Sequence, residues 1–295
     1  MVAEIYVRSV LNKHKKRDDW FLDDYSLNPY RLCEFGCVYC YIRGGRYGRG
    51  GGLAVKVNAP TVLAKEVSRR ARRGEYGFIA LGSATEPWMY LEERYEVTRM
   101  CLEVIARYRF PVHCLTKSPL ILRDLDILAE IRDTAVVPED LREAVQGGVL
   151  ITFSFSTLDE EVARIFEPNA PKPSERLEAL KKVREEGFQA GAAFIPVLPY
   201  ISDGEEQVEE MVKAARDVDA SYVFFSPPTL QGGAKRAYIE VLRRHFPGLA
   251  KKYEDLYRGR WYPPKSYNIR FYRQVKAFCK KYCVKIGIKP IKHLG

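Results

Sequence analysis

Three cysteines within the eight residues Cys33-Glu34-Phe35-Gly36-Cys37-Val38-Tyr39-Cys40 constrain this chain more than any other feature. Spaced i, i+4 and i+7, their thiols share one short loop, and an odd number cannot pair fully into disulfides. Thiolates gathered in this way suit a soft metal, either zinc or an iron–sulfur cluster. A closed zinc site takes four protein ligands, and a cubane cluster normally takes four cysteines. The next candidates, Cys101 and His113, are not local. The economical reading is a [4Fe-4S] cluster with one iron left open to an exchangeable ligand, an arrangement suited to catalysis. Tyr39, just before the third cysteine, is placed to lie against a planar ligand such as adenine.

The chain has 295 residues, enough for one α/β barrel or two small domains around a substantial core. A hydrophobic fraction of 46% and a charged fraction of 29% describe an ordinary soluble protein. No apolar run approaches a membrane span, and the first residues run into His14-Lys15-Lys16-Arg17 without a signal-peptide core. Seven cysteines, three of them clustered, fit a reducing cytoplasm better than a disulfide scaffold. The expectation is a cytoplasmic, oxygen-sensitive protein. Its net charge of +10 is uneven: residues 231–295 hold 17 Lys/Arg against 3 Asp/Glu, and the remainder is slightly acidic. Such a skew points to a polyanionic partner, nucleic acid above all.

Residues 1–24 read as an N-terminal extension, basic and then acidic, with Trp20 and Phe21 as anchors. The cysteine loop opens into a Gly/Arg-rich stretch over 43–52, read as a solvated cationic loop with phosphate contact as the sharper alternative. From Ala59 onward, apolar runs alternate with amphipathic ones. Strands are expected over 76–81, 111–116, 148–155, 190–198 and 222–225. Helices are expected over 60–73, 92–108 and 123–131, from a Ser174 cap to Gly187, and over 205–218. That alternation argues for parallel βα units around a closed or nearly closed sheet. Residues 231–295 read as a basic, mainly helical region, with helices near 234–245, 247–257 and 267–281. Cys101 and Cys114 are expected in the core, and Cys279 with Cys283 on a buried helix face.

In parallel barrels the chemistry gathers at the C-terminal strand ends. Four polar segments fall there: Gly82 to Trp88, Thr116-Lys117-Ser118, Ser154 with Ser156, and Ile195-Pro196. Their convergence on one rim marks a ligand site.

The Cys-x3-Cys-x2-Cys spacing with its preceding aromatic resembles the signature of the radical S-adenosylmethionine (SAM) superfamily. The lead-in Tyr25-Ser26-Leu27-Asn28-Pro29-Tyr30 and Tyr41 narrow the resemblance to the branch containing spore photoproduct lyase and its DNA repair photolyase-like relatives. Gly82 to Pro87, Thr116 to Ser118, Leu122 to Asp124, Glu167-Pro168 and Arg176-Leu177 also match that branch, with Glu86 in place of the usual Asp.

The resemblance implies an α/β fold, a partial parallel (β/α)6 barrel of radical SAM type spanning 25–230, followed by the basic helical C-terminal extension. It also implies a [4Fe-4S] cluster on Cys33, Cys37 and Cys40, and SAM as cosubstrate. Ser83, Thr85 and Glu86 then face the ammonium of SAM, and Lys117 its carboxylate or ribose oxygens. Ser154 faces a hydroxyl, and Tyr39 and Pro196 complete the cofactor wall. Tyr39 and Tyr41 match tyrosines that flank the lyase's third cluster cysteine, which makes them the catalytic candidates. Ser83 stands where the lyase carries a hydrogen-donating cysteine, so clean repair of spore photoproduct is not expected.

The implied activity is cleavage of SAM to a 5′-deoxyadenosyl radical that abstracts hydrogen from a substrate, with a ferredoxin- or flavodoxin-like electron donor. Nucleic acid is the expected substrate, contacted by Arg243, Arg244, Lys251, Lys252, Arg258 and Arg260, with Trp261 and Tyr262 stacking on an unpaired base. Two rivals stand beside this reading: a radical SAM enzyme acting on a protein or small metabolite, and a non-enzymatic, metal-stapled nucleic-acid-binding protein. The oligomeric state is open.

Overall fold

Five short apolar runs and the more polar segment Asp23–Leu27, not expected as a strand, become the parallel strands of one sheet. The computed structural model describes residues 2–44 and 51–289. Its principal sheet has the order β10-β9-β8-β7-β6-β3-β2. The parallel strands are β3 (Asp23–Leu27), β6 (Phe78–Leu81), β7 (Val112–Thr116), β8 (Val149–Phe155), β9 (Gln189–Phe194) and β10 (Val223–Phe225). The edge strand β2 (Leu11–Lys13) runs antiparallel to β3. A second sheet joins β1 (Ala3–Ile5), β4 (Tyr30–Arg31) and β5 (Ala54–Lys56). The molecule is a partial parallel barrel, as the alternation of strands and helices implies. The Gly/Arg-rich positions 45–50 lie outside the described residues.

Strand periodicity sorts the side chains. Val112 and Cys114 join the core shared with Leu102, Ile105 and Leu128 of the surrounding helices. His113, between them, turns to the other face, where Nδ1 meets the Phe21 carbonyl at 2.8 Å and Nε2 the Thr152 hydroxyl at 2.7 Å. The anchors Trp20 and Phe21 pack on Phe224, at ring-centroid distances of 5.6 and 5.2 Å. Gly191 of β9 leaves room for Tyr222, since a Cβ there would come within 2.3 Å of the Tyr222 carbonyl oxygen.

Helices α2 (Ala59–Ala71), α5 (Leu125–Thr134) and α8 (Glu205–Asp217) fall where the amphipathic runs place them. The run over 92–108 instead forms two helices, α3 (Tyr90–Tyr95) and α4 (Val97–Arg107), broken at Glu96 with φ 49°. Glu92 causes the break to hold: buried, it accepts from the backbone N–H groups of Thr98 and Arg99 at 2.9 and 3.1 Å, and so caps α4. Ser174 does not cap α7 (Pro173–Glu185); it lies inside the first turn and donates to Glu160 at 2.6 Å. The short helix α6 (Glu160–Phe166), capped by Asp159, went unread because seven residues give too little periodicity.

The C-terminal helices α9 (Gly232–His245), α10 (Pro247–Leu256) and α11 (Lys265–Lys281) pack onto the barrel rather than apart from it. Tyr267, Phe271, Val275 and Cys279 of α11 enter the main core, each large apolar side chain contributing about 1.5–3 kcal/mol by burial. Cys283 departs from the expected buried face: the helix ends at Lys281, Cys283 takes φ 57° and its side chain is exposed. Beyond it Ile286 bridges to Val223, covering part of the exposed edge of β10. Among the described residues no helix is long and apolar enough to cross a membrane.

Candidate active site

The cysteine loop follows β4 and is fastened from one short segment, residues 166–169. The Val38 N–H donates to the Phe166 carbonyl at 2.8 Å, and the Asn169 N–H and side-chain amide donate to the carbonyls of Phe35 and Glu34 at 3.3 and 3.0 Å. The Tyr39 hydroxyl bonds the Glu167 carboxylate. Glu167 in turn pairs with Arg176, whose remaining donors go to the Pro171 carbonyl at 2.8 Å and the Ser154 carbonyl at 3.0 Å. One buried guanidinium therefore ties the cysteine loop to the end of β8. Burial opposes ionisation of Glu167, but Arg176 and Lys117 outweigh it and hold the carboxyl below its usual range.

Tyr39 itself is buried in a cluster with Phe166, Leu198, Leu230, Tyr238 and Tyr253, so α9 and α10 brace the loop. Burial, with the nearby Cys37 and Glu167, holds its phenol far above the usual value and therefore neutral.

A second set of bonds organises the loop after β6. The Asn28 carboxamide oxygen, at the end of β3, accepts from the N–H groups of Ala84 and Thr85 at 2.9 and 3.2 Å. Glu86 accepts from the Thr116 hydroxyl at 2.6 Å, the Lys117 N–H at 2.8 Å and the Trp88 N–H at 3.1 Å, bridging β6 to β7. Burial nevertheless pushes its pKa up. Gly82 has φ 94° and its missing Cβ would strike the Leu115 carbonyl oxygen at 2.4 Å, so glycine is required at this turn. Asp124 anchors the far end of the loop by accepting from the Trp88 indole N–H at 2.9 Å, with Arg99 and Arg123 beside it.

These loops enclose a cavity of about 760 Å³. Cys33, Cys37, Cys40, Tyr39, Tyr41, Ser83, Thr85, Glu86, Lys117, Ser154 and Pro196 all line it, so residues from five separate stretches meet at one place. The Lys117 ammonium stands 5.9 Å from the centre of the Tyr39 ring, and the Tyr41 hydroxyl donates to the Ser83 carbonyl at 2.5 Å. The eight residues of the basic strip lie elsewhere: Arg243, Arg244, Lys251, Lys252, Arg258, Arg260, Trp261 and Tyr262 do not line the cavity. Trp261 and Tyr262 are 59% and 56% exposed. The Trp261 carbonyl accepts from the Leu230 N–H at 2.9 Å, one residue from the cavity-lining Thr229.

The donor set fits an iron–sulfur cluster. Three thiols face one cavity, and the Phe35 N–H points at the Cys33 sulfur at 3.4 Å. Burial pushes the Cys33 thiol up to about 11 and the Cys37 thiol up to about 12, so both are neutral thiols until a metal displaces their protons. The Lys117 side chain and the Ser83, Thr85 and Ser154 hydroxyl-bearing side chains line the same walls, polar groups of the kind that a SAM carboxylate, ammonium and ribose require.

The sequence did not single out Asn28, the Glu167–Arg176 pair as a brace, or His14 and Asp23, which also line the cavity. The only local signals were an Asn-Pro at a strand end and a Glu-Pro after a short apolar run.

The family model of the radical SAM superfamily matches residues 27–215. An uncharacterized protein of Mycobacterium tuberculosis is 29% identical over 266 residues, covering 88% of this chain and 74% of that one. An uncharacterized protein of Acidianus two-tailed virus is 27% identical over 235 residues, covering 75% of this chain and 72% of that one. Among solved structures, a variant of spore photoproduct lyase superposes with a TM-score of 0.71 at 17% identity, covering 95% of this chain and 79% of that one. Another variant, with bound AdoMet and dinucleoside spore photoproduct, superposes with a TM-score of 0.63 at 19% identity, covering 88% of this chain and 74% of that one. At these identities the structural likeness is one of fold.

Proposed function

This chain belongs to the radical SAM superfamily, and from that premise we propose a radical SAM enzyme that modifies or repairs nucleic acid by a reaction other than spore photoproduct lysis. The observation that carries the reading is the convergence of the three cysteines and four strand-end segments on one cavity. Cys33, Cys37 and Cys40 would hold the cluster, which when bound and reduced would supply the electron for cleavage of SAM to methionine and a hydrogen-abstracting 5′-deoxyadenosyl radical.

The protein's own residues do the positioning. Lys117 offers a cation to the SAM carboxylate or ribose oxygens, and Ser154 a hydroxyl within the same wall. Glu86 already accepts three protein hydrogen bonds, so it holds the Thr85 loop in place and has little capacity left for the SAM ammonium. Tyr39, its hydroxyl bound to Glu167, presents a ring face, whereas Tyr41 reaches the Ser83 carbonyl and stands nearer the reacting end. The buried walls keep water from a radical that would otherwise be lost to side reactions. A ferredoxin- or flavodoxin-like protein is the matching electron donor.

Nucleic acid as substrate is supported by the charge of the C-terminal region and by exposed Trp261 beside the cavity rim. A peptide or small-metabolite substrate is the second reading. It is favoured by the carboxylate partners that Arg243, Lys251 and Arg258 already have in Glu254 and Asp255. The test is anaerobic purification, measurement of iron, sulfide and 5′-deoxyadenosine formation, and sequencing of any co-purified nucleic acid. Iron-free protein without SAM cleavage would overturn the enzyme, and nucleic-acid-free protein with salt-independent binding would favour the second reading.

A further inference from the structure

The cavity has a second polar end, away from the cysteines. The edge strands β2 and β10 do not pair, and the segments that follow them, His14 to Asp23 at the N-terminal ends of the parallel strands and Ser226 to Thr229 at the C-terminal ends, both line the cavity. There His14 Nδ1 lies 2.9 Å from Asp23 Oδ2, with the side chains 29% and 6% exposed. The His14 backbone N–H is bound to the Asp24 carbonyl at 2.8 Å, and Asp23 is held in register opposite Phe78. The pair is therefore built into the barrel, not carried on a loose loop. A carboxylate on Nδ1 fixes the imidazole so that Nε2 is the group presented, and among the described residues Nε2 has no protein partner. Burial raises the Asp23 carboxyl to about 6, consistent with an enclosed position beside His14.

The surroundings select the ligand. Lys16 pairs with Asp19 at 3.0 Å, and Arg17 with Asp24 at 3.1 Å and with Asp140, so each cation at this end has a carboxylate beside it. Asp18 and Asp23 add further negative charge, and a phosphate is repelled here. Between the two polar ends the walls are apolar: Phe21, Leu115, Ala193, Ile195 and Pro227. An apolar slot that ends in a hydrogen-bonding imidazole suits a flat, neutral ring with a polar edge.

We propose that His14 and Asp23 form a substrate subsite for the hydrogen-bonding edge of a nucleobase, with its phosphates held away from this acidic end of the cavity. The proposal rests on the nucleic-acid reading above and names where the base goes. Its test is a titration of the full-length, cluster-loaded protein, labelled with 13C at histidine, with thymidine and adenosine. N-acetyl-lysine amide serves as a cationic control. The chain has four histidines, and loss of a signal in His14→Gln assigns the one that matters.

The expected result is a saturable shift of the His14 signal with at least one nucleoside, weakened about tenfold in Asp23→Asn by loss of the orienting bond. Unperturbed His14 at millimolar nucleoside overturns the subsite, as does a shift with the amine alone. If oligonucleotides still bind with steep salt dependence in that case, the nucleic-acid reading survives and only the subsite falls.

Discussion

Glu167 and Arg176 meet at 2.5 Å with each side chain only 1% exposed, and the same carboxylate holds the hydroxyl of Tyr39. A charge pair taken out of water is costly unless every polar atom is matched. Here Pro171, Ser154 and the cysteine loop match the outer atoms, while Glu167 Oε2 and Arg176 Nη2 have only their mutual charge contact. The pair is therefore less a source of net stability than a device that locks the loop to β8.

Breaking it from one side should be severe. Arg176→Met leaves a buried carboxylate without its cation and is expected to cost about 3–5 kcal/mol in denaturant unfolding. The double change Glu167→Gln with Arg176→Met should cost clearly less than the sum of the two single changes. Equal or additive losses would show that the charges do not act as a pair.

Removing any one cluster thiolate should abolish function without abolishing the fold. Cys33→Ala, Cys37→Ala and Cys40→Ala are expected to purify without stable iron and to form no 5′-deoxyadenosine, while their far-ultraviolet dichroism matches the parent. A parent protein holding one zinc ion and no iron would refute the assignment.

Ser83 lines the cavity where the resemblance to spore photoproduct lyase places a hydrogen-donating cysteine. A serine O–H bond is much stronger than a thiol S–H, so Ser83 cannot quench a product radical in that way. Tyr41 remains beside it, at 2.5 Å from its carbonyl, without the thiol partner. Little or no clean conversion of a spore-photoproduct dinucleotide to thymines is expected by product chromatography; efficient conversion would contradict this.

His113 should make the fold sensitive to mild acid. The Phe21 carbonyl requires the proton on Nδ1, so Nε2 accepts from Thr152, and the neutral ring is the form that fits. Burial lowers its pKa from 6.5 to about 4. Between those values the unfolded chain takes up a proton that the folded chain refuses, so stability falls as pH falls, by up to ~3 kcal/mol. His113→Gln should flatten urea-unfolding stability across that window; an unchanged pH profile would show that another group is responsible.

The basic strip should respond unevenly to charge reversal. Arg258 already pairs with Asp255, whereas among the described residues Arg260 makes only a backbone contact, to the Arg258 carbonyl at 3.3 Å. Changing both to Glu is expected to weaken oligonucleotide binding and lower its salt slope, with Arg260→Glu carrying most of the loss. SAM cleavage without substrate should be spared, because neither residue lines the cavity. Binding that ignores salt and both changes would point to the peptide or metabolite reading.

The amino-acid sequence by itself determined the superfamily, because the signature of three cysteines within eight residues is a local spacing that needs no help from the rest of the chain. It also determined the strand and helix alternation and the inward-facing side of β7, since both follow from local periodicity. Glu96 was beyond its reach: the break there depends on Glu92 capping α4 from within the preceding helix. Cys283 was misplaced because the helix ends two residues earlier, in a turn that i, i+4 spacing does not report.

Only the tertiary structure decided which polar residues serve the site. Asn28 reaches a loop 56 positions away, Tyr39 finds Glu167 across 128, and His14 enters the cavity from outside the βα units altogether. Such pairings are set by how strands register and helices pack, and a sequence window records hydrophobic period and spacing but not which distant donor arrives at which acceptor.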